Sequence, residues 1–149
     1  MKMKNTNNLN KMKGLTIIEL MIGMAILAIF IVTIARNIPV AQEQSRITSV
    51  VQMISDMQKG ATAYASGSGV YTGITLAKLV ERNLLPVNIT DGVGENPYGG
   101  DVSIAPNNAT SITITLTVVP NESGADLMAK YADFTPTYSG TTFTVTFMG

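Results

Sequence analysis

Carboxylates supply most of the chemistry that this sequence could perform, because its 149 residues include no histidine and no cysteine. That composition excludes imidazole bases, thiol nucleophiles, disulfides and zinc sites built from these residue types. Two features place acidic residues in a distinctive setting: a glycine-rich loop with Asp91, Glu95, Asn96 and Asp101, and an apolar run that contains Glu19. Since no nucleophile with a base and no phosphate loop stands out, we predict that the protein is not an enzyme and has no cofactor.

The glycine-rich loop is a candidate calcium site. Its carboxylate and amide oxygens are ligands that Ca²⁺ accepts. The spacing differs from that of an EF-hand, however, and acidic residues in such loops are usually solvated. We therefore predict no metal site, with a calcium loop at Asp91, Glu95, Asn96 and Asp101 as the alternative.

The apolar run extends from Leu15 to Ala35, and 17 of its 21 residues are apolar. As a helix it would rise about 30 Å, which is the thickness of a bilayer core. Its twelve Leu, Ile, Phe and Val residues favour insertion by roughly 4–7 kcal/mol in total, against a cost of about 2.5–3.5 kcal/mol for one central carboxylate. Glu19 lies near the end of the run, where that cost is lower, so the segment is predicted to insert.

Charges on either side of the apolar run predict its orientation. Four lysines and no acidic residue precede it, which keeps the N-terminus cytoplasmic and exports the chain after Arg36. The remainder has six basic and ten acidic residues, a net charge of −4, so we predict no nucleic-acid partner. A secretory signal peptide is the rival interpretation, but the run is long for one and no small-residue cleavage site follows it.

Residues 13–20, KGLTIIEL, resemble the prepilin processing motif of type IV pilins and related pseudopilins. The resemblance implies that a membrane prepilin peptidase removes residues 1–14 by cutting after Gly14. It also implies that the new N-terminal residue, Leu15, is methylated. The family's glutamate at the fifth position of the mature chain corresponds to Glu19.

Glu19 needs a partner if it stays ionised within an apolar segment. No basic side chain follows it before Arg36, which favours a partner group on another subunit. The family resemblance implies that this group is the free amine of Leu15 on a neighbouring subunit, which would set docking and register. The alternative is an interfacial carboxylate that reaches the lipid headgroups.

The helix is predicted to continue to about Ala65. An amphipathic stripe with helical spacing supports this: Ile47, Val50, Ile54, Met57, Ala61 and Tyr64. Pro39 is predicted to kink the helix as a bend at the membrane exit. The type IV pilin resemblance implies, as the alternative, a segment that loosens during assembly. The predicted organisation is a leader over 1–14, a transmembrane or filament-core half over 15–35, an amphipathic half over 36–66 and a globular region over 67–149.

The globular region is predicted to be a small antiparallel sheet with short helices. Alternating apolar residues predict strands over 111–119 and 142–147, with a third strand over 102–104. Short helices are predicted over 74–85 and 124–132. The fold class is therefore α+β, with the long N-terminal helix packed on the sheet, and the type IV pilin resemblance implies the same pilin-like fold.

Leu84-Leu85-Pro86 followed by residues 96–100, NPYGG, is similar to a passage of type IVb-like pilins, including the conjugative thin-pilus type. Many relatives close the C-terminal region with a disulfide, which this chain cannot form.

By resemblance, the protein is the major structural subunit of a surface pilus used in adhesion, aggregation or conjugation. It would polymerise with copies of itself after residence in the bacterial inner membrane, with help from an assembly platform and an ATPase motor. A pseudopilin of a type II secretion system is the alternative, and a membrane-anchored enzyme would need a site that we do not find.

Overall fold

The computed structural model describes residues 16–86, 89 and 96–148, without the side chains of residues 36 and 37. Its elements are α1 (Ile17–Ala65), α2 (Leu76–Glu81), β1 (Val102–Asn108), β2 (Ser111–Leu116), α3 (Asn121–Lys130), β3 (Thr135–Ser139) and β4 (Thr142–Met148). The chain divides into two compact units, an N-terminal unit (Met1–Val40) and a C-terminal unit (Ala41–Gly149). A long apolar N-terminal helix combined with an antiparallel sheet confirms the predicted α+β, pilin-like fold.

The helix α1 continues through Pro39 and crosses the boundary between the two units. In the C-terminal unit the predicted stripe faces the core: Ile47, Val50, Ile54, Met57 and Ala61 are buried. Tyr64, the last residue of the stripe, is half-buried and lies against that core. The kink at Pro39 stays a prediction.

The sheet has the strand order β1-β2-β4-β3, with every neighbouring pair antiparallel. The C-terminal strand β4 is therefore central, and it pairs with β2 on one side and β3 on the other. It buries Phe143, Val145 and Phe147. Pairing on both edges and three buried side chains hold the C-terminus in a chain that has no cysteine.

Both outer strands of the sheet contain a proline, Pro106 in β1 and Pro136 in β3. Proline has no N–H to donate, and edge strands use it to resist pairing with another sheet. A β-bulge or irregularity next to Pro106 further disturbs β1. The outer edges of this sheet are therefore poor templates for strand addition.

The strand β3 was absent from the sequence prediction. Its residues, TPTYS, show no strong apolar alternation and include a proline. It pairs with β4 through the two-residue turn Gly140-Thr141, in which Gly140 adopts a φ of 65°. Glycine takes positive φ without the steric cost that a Cβ brings, so the turn rather than the strand composition specifies this hairpin.

The remaining elements differ from the predictions mainly at their ends. The helix α2 is shorter than the predicted 74–85, because Thr75 caps its start and Asn83 adopts a φ of 55° after its end. The helix α3 begins at Asn121, three residues before the predicted start at Gly124. The strand β2 ends at Leu116, and Val118 lies beyond it with a φ of 60°.

Candidate processing and assembly site

The N-terminal unit exposes apolar side chains on every face of α1. They include Ile17, Leu20, Ile22, Leu27, Phe30, Ile34 and Val40, each at least about half exposed. The helix is long and apolar enough to cross a membrane, with a mean hydropathy of 2.7 over its most apolar window and none of that window buried within the chain. Apolar residues all round a helix are typical of a segment that lies in lipid or among other helices.

Thr16 and Glu19 form a capping box at the start of α1. The Thr16 backbone N–H and hydroxyl each donate to Glu19 Oε2 at 3.2 Å, and the Glu19 backbone N–H donates to Thr16 Oγ1 at 3.3 Å. This reciprocal arrangement satisfies backbone donors that the first turn of a helix otherwise leaves unpaired. A carboxylate at this end of a helix also interacts favourably with the helix dipole.

The capping box gives Glu19 an intramolecular partner that the sequence prediction missed. The sequence nevertheless contains the signature of this motif, a threonine followed three residues later by a glutamate, in residues 16–19, TIIE. Gly14 and Leu15 lie outside the described residues. The cleavage site, the methylation of Leu15 and the pairing of Glu19 with a neighbouring Leu15 therefore stay predictions.

Asn96 organises the turn that follows the glycine-rich loop. Its side-chain amide donates to the carbonyls of Thr117 (2.8 Å) and Asp101 (3.2 Å), and its Oδ1 accepts from the backbone N–H groups of Tyr98 (2.8 Å) and Gly100 (3.2 Å). The residue is only 4% exposed. A buried amide with both donors and its acceptor engaged fixes the turn rigidly.

That turn presents Tyr98 to the first turns of α1 in the C-terminal unit. The Tyr98 hydroxyl donates to Glu43 Oε1 at 3.0 Å, and the Ser123 hydroxyl at the start of α3 donates to the same oxygen. The Arg46 guanidinium lies 6.0 Å from the centroid of the Tyr98 ring. Partial burial raises the pKa of Tyr98 above its ordinary value of 10.0, with a hydrogen bond from Ser123 acting in the opposite direction and Glu43 reinforcing the rise.

Sequence reasoning could not have found this cluster. Glu43 is separated from Tyr98 by 55 residues and from Ser123 by 80, so no local motif links them. Glu43 ties α1 to both the turn and α3, which indicates a structural role in the C-terminal unit.

The predicted calcium alternative gains no support from the described part of the loop. Asp91 and Glu95 lie outside the described residues, and the side chain of Asn96 is engaged in the hydrogen bonds given above. Asp101 lies next to this turn, and its backbone N–H donates to Thr117 Oγ1 at 2.8 Å. Among the described residues, no group of three or more acidic side chains could hold a metal ion. The absence of a metal site stays a prediction, with the calcium loop as its alternative.

Comparison with protein families gives two matches that together span most of the chain. The model described as PilS N terminal matches residues 41–146, and the model described as the prokaryotic N-terminal methylation motif matches residues 9–35. The first match coincides with the C-terminal unit, and the second includes the capping box and much of the exposed apolar helix. No curated protein and no solved structure matches the chain.

Proposed function

Since this chain belongs to the PilS N-terminal family and is a type IV pilin, we propose that it is the structural subunit of a surface pilus. Prepilin peptidase would remove the leader after Gly14, and Leu15 would become the methylated N-terminus of the mature subunit. The mature chain would then leave the inner membrane and polymerise with copies of itself. An assembly platform and an ATPase motor would supply the work of extraction.

The exposed apolar helix is the observation that carries this proposal. Burying a Leu, Ile or Phe side chain is worth about 1.5–3 kcal/mol, so a helix with such residues on every face requires an apolar environment. A bilayer provides that environment for the precursor. The helices of neighbouring subunits would provide it in a filament, which allows the same surface to serve for storage and for assembly.

Glu19 gives this assembly a means of setting register. The capping box keeps its carboxylate at the start of α1, close in sequence to the residue that would become the N-terminus. In the proposed filament, the Leu15 amine of a neighbouring subunit approaches this carboxylate and forms an ion pair. Removal from water makes an uncompensated carboxylate costly, so the pair would favour one alignment of the helices over others.

The sheet supports polymerisation through helices. Pro106 and Pro136 each lack a backbone N–H donor in one of the two outer strands, which disfavours growth of the sheet by addition of a strand from another chain. The globular units would therefore pack by their side-chain surfaces around a core of α1 segments. We further propose, from residues 84–86 and 96–100, a type IVb-like or conjugative thin-pilus-like major pilin, with adhesion, aggregation or conjugation as the filament's role.

The test is the intact mass of the protein recovered from filaments sheared off the cell surface. A mass equal to that of residues 15–149, with or without one methyl group, supports both the processing and the external filament. Processed chain that is confined to the membrane fraction favours the pseudopilin of a type II secretion system instead. An uncut chain in the filaments would contradict the proposed cleavage after Gly14.

A further inference from the structure

Two short helices of the C-terminal unit lie at opposite edges of its sheet. The helix α2 contacts β1, which is one edge strand, and α3 contacts β3, which is the other. The α2 side carries Lys78, Glu81 and Arg82, for a net charge of +1. The α3 side carries a net charge of −2 from four exposed residues: Glu122, Asp126, Lys130 and Asp133. The charged residues of the α2 side and of the α3 side are therefore of opposite net sign.

The opposite charges have matching spacing. Lys78 and Arg82 are four residues apart and form what we call the basic ridge, while Glu122 and Asp126 are four residues apart and form the acidic ridge. Four residues correspond to about 6 Å along a helix, so each pair lies on one face. Two ridges with equal spacing allow two ion pairs to form together.

The charges of both ridges lack oppositely charged partners in the described chain. Lys78 Nζ donates to the Gly73 carbonyl at 2.7 Å, and the Arg82 guanidinium lies 4.5 Å from the centroid of the Tyr64 ring. These contacts position the two cationic groups without neutralising them. Within the described residues, the one salt bridge joins Lys59 to Asp56 and involves neither ridge. Positioned cations lose less conformational entropy on binding than free ones do.

We propose that the basic ridge of one copy docks on the acidic ridge of a neighbouring copy of this chain. The inference rests on the proposed function, because it describes a contact between subunits of the pilus. A two-fold contact through either ridge would oppose like charges, whereas a head-to-tail contact opposes unlike charges. Such a contact leaves one ridge free on each end copy, so it extends into an open polymer.

The positions of the two ridges along α1 predict how neighbouring copies are offset. The acidic ridge begins beside Ser123, which contacts Glu43, and the basic ridge ends at Arg82, which contacts Tyr64. Glu43 and Tyr64 are separated by roughly 30 Å of helix. Copies joined ridge to ridge are therefore displaced along α1 by about this distance.

Charge reversal of each ridge provides the test. The full-length variants Lys78→Glu/Arg82→Glu and Glu122→Lys/Asp126→Lys each oppose like charges, so each should reduce sheared filament yield about tenfold or more. Co-expression of the two variants restores unlike contacts between alternating subunits. It should recover filaments that contain both chains in comparable amounts, as measured by mass spectrometry.

A matched control separates ridge docking from a general effect of charge. Lys59→Glu and Arg82→Glu change the net charge equally, but Lys59 lies outside both ridges. Arg82→Glu should lower the yield while Lys59→Glu leaves it near that of the unmodified protein. Each variant is first shown to accumulate as processed subunit in the membrane, and Lys78→Gln/Arg82→Gln replaces any variant that does not.

The outcomes distinguish the two proposals. If the unmodified chain forms no filaments, the proposed function fails. If the unmodified chain forms filaments and both double charge-reversal variants give the same filament yield, the proposed pilus function is retained and ridge docking is overturned. Reduced yields without recovery on co-expression also overturn ridge docking, since they show that the substitutions act other than by opposing like charges.

Discussion

The two units of this chain differ in the burial of the same types of apolar side chain. In the N-terminal unit, Phe30 is 62% exposed and Ile22 is 56% exposed, whereas in the C-terminal unit Phe143 and Ile54 are fully buried. One continuous helix passes from the first setting to the second. The C-terminal unit completes its core within the chain, and the N-terminal unit requires lipid or other subunits to cover its surface. The contrast separates the residues that fold the protein from those that assemble it.

The change within α1 follows from its pattern of polar residues. Before the boundary, apolar side chains cover every face of the helix, and Glu19 lies at its very start. After the boundary, polar residues confine the apolar ones to a stripe that packs on the sheet. The same backbone geometry therefore serves two environments because the sequence changes from an all-round pattern to a one-sided one.

Glu19→Val should have the largest effect, which is the loss of filaments. The substitution preserves an apolar helix but removes the carboxylate that we propose pairs with a neighbouring Leu15 amine. We expect no filaments in the sheared fraction and an unchanged amount of subunit in the membrane. Quantitative immunoblots of both fractions measure the effect.

Asp56→Val is the matched control for this substitution. Asp56 lies on α1 outside both ridges and forms a surface ion pair with Lys59, so losing its carboxylate should leave assembly intact. Intact masses from the membrane fraction show whether either variant is cut after Gly14. Normal filaments from Glu19→Val would refute the docking role of this residue.

Phe143→Ala and Phe30→Ala compare the two units directly. Phe143 is fully buried in the central strand β4, so its truncation should lower the free energy of unfolding by about 3–5 kcal/mol. Phe30 is 62% exposed in the N-terminal unit, so its truncation should change the unfolding of the C-terminal unit by less than about 0.5 kcal/mol.

Tyrosine fluorescence measures this comparison in the full chain, solubilised in detergent. All five tyrosines lie after residue 41 and the chain has no tryptophan, so the signal reports on the C-terminal unit. Urea unfolding then gives the change in the free energy of unfolding for each of the two variants. Equal destabilisation would contradict the independence of the C-terminal core.

The regular parts of this fold were predictable from sequence because their periods are short. The stripe from Ile47 to Ala61 repeats with the helical period, and the alternation in β2 and β4 puts one face of each strand in the core. The strand β3 was not predictable in this way. Its position depends on the Gly140 turn and on pairing with β4, and its residues show no apolar alternation that would indicate a strand.

The residues of the candidate site were likewise predictable from sequence only where they belong to a local motif. Gly14, Leu15 and Glu19 belong to a local motif, and the capping role of Thr16 has a four-residue signature that could have been recognised. The contact of Glu43 with Tyr98 and Ser123 arises only when three distant segments meet. Pairings of this kind depend on the completed fold, and residue spacing carries no information about them.

Asn96→Ala should lower the free energy of unfolding of the C-terminal unit by about 2–3 kcal/mol, because it leaves buried backbone groups of the turn without partners. Asn107→Ala is the matched control. Asn107 is exposed and donates one hydrogen bond, to Ser111 Oγ at 3.2 Å, so its loss should cost no more than about 0.5 kcal/mol. Urea unfolding followed by tyrosine fluorescence tests both, and equal effects would remove the special role of the Asn96 turn.

Val118→Gly should have the smallest effect and the opposite sign. Val118 is 52% exposed and adopts a φ of 60°, a conformation that is strained for a β-branched residue. Relief of this strain outweighs the entropy that glycine loses on folding, so the C-terminal unit should gain about 0.5–1 kcal/mol. Val70→Gly, at a half-buried residue without positive φ, should destabilise the same unit. A loss of stability in Val118→Gly, measured by urea unfolding, would mean that the packing of Val118 outweighs its strain. A gain would show that the self-contained core tolerates a strained residue at its surface.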